Sequence, residues 1–238
     1  MTEQQRIDLA TLTPVESLRL TAAVASAHLM CFPTDTVYGV GGVLDPAVGR
    51  AIQAAKGRAA DKPLQVVFPT REVLLASITV GGRLRDAFYR LLPGPVTLVI
   101  PYPEDFAYPP PGEVTHVNTS VLGLRRREGV VRTLGVRVPR WSAAARLLAT
   151  LPYPLIASSA NPSGAEDEVR SLEEVDAGVL AACDLLLDGG PADGRASTVL
   201  DLSRYEEGGG WQIMRAGEWG ESEIAEMLTR RRDDLPTP

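Results

Sequence analysis

Residues 155–164 read Leu155-Ile156-Ala157-Ser158-Ser159-Ala160-Asn161-Pro162-Ser163-Gly164. Leu155 to Ser158 has the length and composition of a buried strand. The half that follows holds hydroxyls, an amide, Pro and Gly. In an open α/β sheet, ligands bind beyond the carboxyl ends of strands, where this turn would lie. Hydroxyls, an amide and free backbone N–H groups there suit phosphate oxygens. The same composition also fits a plain Asn-Pro-Ser-Gly turn.

Outward from this stretch, apolar runs of strand length recur at Leu29–Phe32, Leu64–Phe68, Val96–Ile100, Leu134–Val138, Leu185–Leu187, Thr198–Leu202 and Trp211–Met214. Helices separate most of them. Thr13-Pro14-Val15-Glu16 is a capping box with Pro at the first helical position. Asp45-Pro46 opens a helix to about Ala55, Thr70 caps a third, and Arg83–Leu92 carries an apolar stripe. Ser142–Thr150, Ser171–Ala181 (with Ser171 and Glu174 as a second capping box) and Glu221–Arg232 complete the set. The alternation predicts an α/β fold with a mixed, twisted sheet and flanking helices. The run from Leu185 to Met214 lacks helices, which predicts antiparallel pairing there. No repeat or linker divides residues 1–238, so a single domain is expected. An aperiodic segment, Pro101–Val131, has the character of a lid or insertion. Gly208-Gly209-Gly210 reads as a flexible turn between two strands.

Composition narrows the function. The chain has 238 residues, 45% of them hydrophobic, and a mean hydropathy near zero, which is ordinary for a globular core. No run reaches the roughly 18–20 apolar residues of a membrane span, and the polar start is not a signal peptide. No membrane association and a cytoplasmic location are therefore expected. Cys31 and Cys183 lie in apolar runs and read as buried free thiols. The net charge of −6 opposes general nucleic-acid binding. Two basic runs, Arg125–Arg127 and Arg230–Arg232, read first as a solvated loop and a helix end. No P-loop motif is present, Gly39-Val40-Gly41-Gly42 is not a dinucleotide fingerprint, and His28 and His116 lack metal-ligand spacing.

Two further stretches resemble anion sites. Lys56-Gly57-Arg58 ends a helix, and Lys62 follows in a turn before a strand. Such cations could hold a ligand or simply complement the helix dipole. Pro33–Gly42 follows a strand and carries threonines, Asp35, Tyr38 and three glycines, either to let a ligand approach the backbone or as a rigid loop. Arg137, inside an apolar strand, needs an anionic partner, whether a ligand or a structural carboxylate.

PTDTVYGVGG at 33–42, KGRAADKPL at 56–64, PGPVTLV at 93–99, VRVP at 136–139, SSANPSG at 158–164 and STVLD at 197–201 occur in a fixed order across most of residues 13–217. As an ordered set they resemble the YrdC-like family of threonylcarbamoyl-AMP synthases, in its short form without an extra C-terminal domain. The resemblance implies a twisted α/β fold around a basic cavity. It implies synthesis of threonylcarbamoyl-AMP and pyrophosphate from L-threonine, bicarbonate and ATP with Mg²⁺. The product would pass to a tRNA threonylcarbamoyl transferase for the t6A37 modification of tRNA. By position, Lys56 and Arg58 resemble the cations that hold the nucleotide phosphates, with Ser159 and Asn161 as their polar partners. Thr34, Lys62, Arg137 and Ser197 resemble the threonine-binding set, and Thr133 and Arg215 resemble nucleotide contacts. Two departures stand out. Ala59 replaces the Pro that commonly follows Lys-x-Arg, which should loosen that loop. Ala165-Glu166-Asp167 replaces a Ser-Pro-Thr-like stretch, and Asp167 near phosphate oxygens would be unfavourable without Mg²⁺ or a loop that points away. These departures and the arginine run at 125–127 leave an alternative of another class, a YrdC-like RNA-binding protein without synthase activity. Weak tRNA binding is compatible with either.

Overall fold

Successive strand residues face opposite sides of a sheet, and the apolar runs sort accordingly. The computed structural model describes residues 4–59, 62–103, 106, 133–165, 168–192 and 194–229. Its strands are β1 (Gln5–Asp8), β2 (Met30–Phe32), β3 (Gly39–Val43), β4 (Gln65–Val67), β5 (Val96–Pro101), β6 (Thr133–Arg137), β7 (Leu155–Ser159), β8 (Leu185–Asp188), β9 (Thr198–Asp201) and β10 (Gln212–Arg215). They form one ten-stranded sheet in the order β1-β8-β2-β3-β7-β4-β6-β5-β9-β10. Pairing is mixed: β1–β8, β8–β2, β4–β6 and β5–β9 are parallel, and the other neighbours are antiparallel.

Helices cover the two faces unequally. The helices are α1 (Pro14–Ser26), α2 (Pro46–Ala55), α3 (Arg71–Ser77), α4 (Gly82–Leu91), α5 (Ala177–Ala181), α6 (Tyr205–Gly208) and α7 (Glu221–Thr229). On one face Ile52 of α2, Leu74 of α3, Phe88 of α4, Val179 of α5 and Ile224 of α7 pack over Cys31, Val40, Val66, Leu98, Val136, Ile156 and Leu200. On the other face Leu20 and Val24 of α1, with Ala145 and Leu148, cover Met30, Phe32, Val67, Leu155, Ala157, Leu185 and Leu187. Arg137 is the cross-strand partner of Val67, so it shares this second face. Thr97 alternates with the core residues Val96 and Leu98 and shares that face too. Beyond the cover of α1, therefore, the sheet surface turns polar, and this positions the site.

The capping box at Thr13 forms as expected, with the Glu16 carboxylate accepting from the Thr13 N–H at 2.9 Å. Other expectations need correction. β1 was not anticipated, because its exposed Gln-Arg-Ile-Asp has no apolar pattern. Gly39–Gly42, read as loop, lies in β3. The Ser142–Thr150 helix is a 3₁₀ helix over Ala145–Thr150. Ser171–Ala181 is not one helix: a 3₁₀ turn spans Leu172–Glu174, and α5 starts afresh with Asp176 as its cap. The Ser171 side chain makes no cap bond, while Glu174 accepts from the Arg170 N–H at 2.7 Å. Neither bond of that capping box forms, because Glu174 reaches the N–H one residue before Ser171. Antiparallel pairing after Leu185 holds for β9–β10, but β8 instead joins β1 and β2 across the sheet. Gly209, at φ 76°, ends the short α6 in the left-handed conformation, so the glycine run is a helix cap.

Both thiols are buried and free. Burial pushes the Cys31 thiol up strongly and the Cys183 thiol up to about 12. The thiolate is the reactive form, so a thiol reagent at neutral pH is expected to label neither cysteine until the chain unfolds. Stoichiometric labelling of the native protein within minutes would contradict this packing.

Candidate functional site

Lys56 is the C-cap of α2 and only 5% exposed. Its Nζ donates to the Ser159 carbonyl, to Ser159 Oγ at 3.3 Å and to Asn161 Oδ1 at 3.5 Å. Ser159 closes β7, and the turn beyond it folds back on the helix end, where the Ser163 N–H donates to the Lys56 carbonyl at 3.0 Å. The strand-to-turn stretch and the Lys-Gly-Arg cluster, distant in sequence, thus form one unit. Gly57, at φ 58°, supplies the left-handed residue that turns the chain after α2. Arg58 donates to the Pro63 carbonyl at 2.9 Å, while its buried Nε has no partner among the described residues. Lys62 reaches Ser163 Oγ at 3.3 Å, so its contact is with the turn that carries Asn161. The Lys62 N–H also donates to the Ala59 carbonyl at 3.1 Å, which ties the loop where Ala59 stands in place of Pro. Asp167, Arg125–Arg127, Arg230–Arg232, His116 and most of Pro101–Val131 lie outside the described residues.

A second group gathers around Arg137, which is 2% exposed. It donates to Asp35 Oδ1 at 2.6 Å, to Thr34 Oγ1 at 3.3 Å and to Thr36 Oγ1. Asp35 Oδ2 accepts the Arg140 N–H at 3.0 Å. Arg137 therefore has the structural carboxylate partner that one reading required, and its buried Nε has no partner among the described residues. Ser197, 3% exposed, shares a hydroxyl contact of 2.9 Å with Thr97, and Thr97 donates to Gln65 Oε1 at 2.8 Å. Arg215 donates to the Ser197 carbonyl at 2.7 Å and to its hydroxyl at 3.3 Å. Thr133 opens β6 and Arg137 ends it, on the same face by the strand period.

Like charge is concentrated here in an otherwise acidic protein. Burial, and next the Arg58 charge, push the Lys56 ammonium down from 10.5 to about 7. Burial lowers Arg58. Arg215 is lowered by burial, then by Arg137, with Arg58 adding and Glu168 opposing; because Arg215 is exposed to solvent, screening moderates these effects. Cations that weaken one another, with buried donors left unpartnered among the described residues, have a chemistry that suits an anion. Asp35, Thr36, Gln65, Thr97 and Glu168 were not singled out from sequence. Asp35 and Thr36 lie within the quoted Pro33–Gly42 stretch and Thr97 within the quoted stretch at 93–99, whereas Gln65 and Glu168 lie in no quoted stretch.

Proton linkage follows from Lys56. Between pH 7 and 10.5 the unfolded chain holds a proton there that the native, ligand-free protein has released. Stability therefore rises with pH across that window, and below it the full cost of burying the charge is present. A bound phosphate restores the charge and takes up a proton. Phosphate or nucleotide affinity is thus expected to fall as pH rises above 7, approaching about tenfold per pH unit. A flat affinity between pH 7 and 9 in equilibrium binding would contradict the linkage.

Fold and site together define an α/β protein whose sheet carries a basic, hydroxyl-rich cluster of side chains. The Sua5/YciO/YrdC family, described as telomere recombination, matches residues 22–217, and the chain belongs to it. A putative threonylcarbamoyl-AMP synthase of Mycobacterium leprae is 34% identical over 216 residues, covering 87% of this chain and 85% of that protein. The threonylcarbamoyl-AMP synthase of Pyrococcus abyssi is 33% identical over 187 residues, covering 76% of this chain; the chain spans only 49% of that relative. Among solved structures, P. abyssi Sua5 complexed with L-threonine aligns with a TM-score of 0.71 at 28% identity, over 95% of this chain and 61% of that one. Escherichia coli YciO, at 18% identity and a TM-score of 0.72, matches in fold. Among the described residues, no helix is long and apolar enough to cross a membrane.

Proposed function

We propose that the chain is a nucleotidyltransferase that makes threonylcarbamoyl-AMP and pyrophosphate from L-threonine, bicarbonate and Mg²⁺-ATP, for a cytoplasmic tRNA threonylcarbamoyl transferase to consume. The observation that carries this reading is the grouping of Lys56, Arg58, Arg137 and Arg215 with the hydroxyls of Thr34, Ser159 and Ser197. The named relatives and the threonine-bound structure of one of them support it.

In this reading Lys56 and Arg58 hold the nucleotide phosphates, Ser159 and Asn161 orient them, and Thr133 and Arg215 complete the ATP site. Thr34, Lys62, Arg137 and Ser197 hold the amino acid, with Arg137 on its α-carboxylate. The amine captures CO₂ derived from bicarbonate, and the resulting carbamate oxygen attacks the α-phosphorus and expels pyrophosphate. Charge builds on phosphate oxygens, so cations placed in advance supply most of the catalysis. Positioning the short-lived carbamate supplies the rest. Mg²⁺ enters with the triphosphate as part of the substrate.

The test is carbon-labelled bicarbonate incubated with the protein, L-threonine and Mg²⁺-ATP. Label recovered in an adenylate that also contains threonine is the expected result. Pyrophosphate formed without any labelled adenylate would contradict the reading.

A further inference from the structure

Charge balance divides the site into two unlike halves. Lys56, Arg58 and Arg215 have no ion-pair partner among the described residues, and uncompensated cations suit a polyanion. Arg137 does have one, Asp35 at 2.6 Å, with the two side chains only 3% and 9% exposed. The pair itself is locally neutral. A buried pair of opposite charges in contact complements a ligand that carries both signs on neighbouring atoms, as the ammonium and carboxylate of an α-amino acid do.

Spare bonding capacity points the same way. Arg137 keeps a buried Nε–H with no acceptor among the described residues. Asp35 takes one N–H from Arg137 and one from Arg140, whereas a carboxylate offers about four acceptor positions. The pair thus keeps an unused donor on Arg137 and spare acceptor capacity on Asp35.

We infer that Asp35 and Arg137 read both charges of an α-amino acid together, with Arg137 on the α-carboxylate and Asp35 on the α-ammonium. Asp35 is then a specificity-determining residue: it favours amino acids and disfavours carboxylic acids without the amine, whose carboxylate would lie beside it without the ammonium that balances the Asp35 charge. The inference rests on the proposal that this site takes an amino acid. The competing account makes Asp35 only a brace for Arg137.

Equilibrium binding of L-threonine and of its 2-hydroxy analogue, 2,3-dihydroxybutanoate, to the wild type and to Asp35→Asn separates the two. Asn keeps an acceptor for the Arg140 N–H and removes the charge. The wild type is expected to prefer threonine by about 10- to 100-fold, as one charge-assisted hydrogen bond gives. Asp35→Asn should bring the two ligands within about threefold, by loss of threonine affinity together with any gain in hydroxy-acid affinity as the repulsion is relieved. Equal weakening of both ligands, with the preference kept, would mean a brace and overturn the inference. Should the variant not fold, equal binding of the two ligands by the wild type overturns it as well. A wild type that binds a different α-amino acid, still only with its amine, would keep the inference and overturn the threonine assignment. Binding neither amino acid nor hydroxy acid would overturn both.

Discussion

Lys56→Ala and Arg58→Ala are each expected to lower threonylcarbamoyl-AMP formation by about 10- to 100-fold or more, since each removes a charge-assisted hydrogen bond of about 1.5–3 kcal/mol to phosphate oxygens. Both proteins should remain folded. Lys56 is buried with its charged form disfavoured, and Arg58 is lowered by burial as well, so neither cation is a net support of the ligand-free fold. Circular dichroism and thermal melting check the fold, and steady-state kinetics check the loss. Arg58→Lys should recover only part of the activity, because an ammonium keeps the charge but not the planar fork. Near wild-type rates in both alanine variants would remove these residues from the phosphate site.

The second large effect concerns stability. A Cβ on Gly41 would lie 2.2 Å from the Ile156 carbonyl oxygen and 3.1 Å from Ala157, its register partner across β3 and β7. Backbone cannot rotate away as a side chain can, so Gly41→Ala must prise these strands apart. A cost of about 3 kcal/mol or more is expected, or a melting temperature lower by roughly 6–12 °C. Activity should fall with it, because β7 ends in Ser159. Gly82→Ala is the control: nothing lies within 4 Å of its added Cβ and it sits at the start of α4, so it should be neutral or slightly stabilising. Equal melting of the two variants would contradict the close approach of β3 and β7.

Gly41 also shows where the sequence is legible and where it is not. Apolar runs such as Val96–Ile100 announce strands because the alternate burial of their side chains is written in the pattern. Gly39–Gly42 has little side chain to write with; its glycines were read as serving a ligand or a rigid loop, whereas Gly41 serves a neighbouring strand. β1 failed for the opposite reason: an exposed edge strand needs no apolar residues, and its Gln-Arg-Ile-Asp is held by pairing with β8. At Ser171 the local capping signal lost to Asp176, whose carboxylate accepts from the Gly178 and Val179 N–H groups.

The site divides in the same way. Lys56, Ser159 and Asn161 could be named because each stands in a local stretch of unusual composition, and the fold brings them into contact. Gln65 and Glu168 carry no local mark, and Thr97 lies in the quoted 93–99 stretch without being distinguished there. Their roles arise from long-range packing: Thr97 meets Ser197, and Glu168 accepts from the Ala196 N–H at 2.6 Å. Asp35 is visible as a residue, but its neutral pairing with Arg137 exists only in three dimensions.

Pyrophosphate release from Mg²⁺-ATP, measured with and without L-threonine and bicarbonate, tests the central claim most directly. Release that requires both co-substrates is the predicted result. No release from a folded sample, or release indifferent to threonine and bicarbonate, would contradict it.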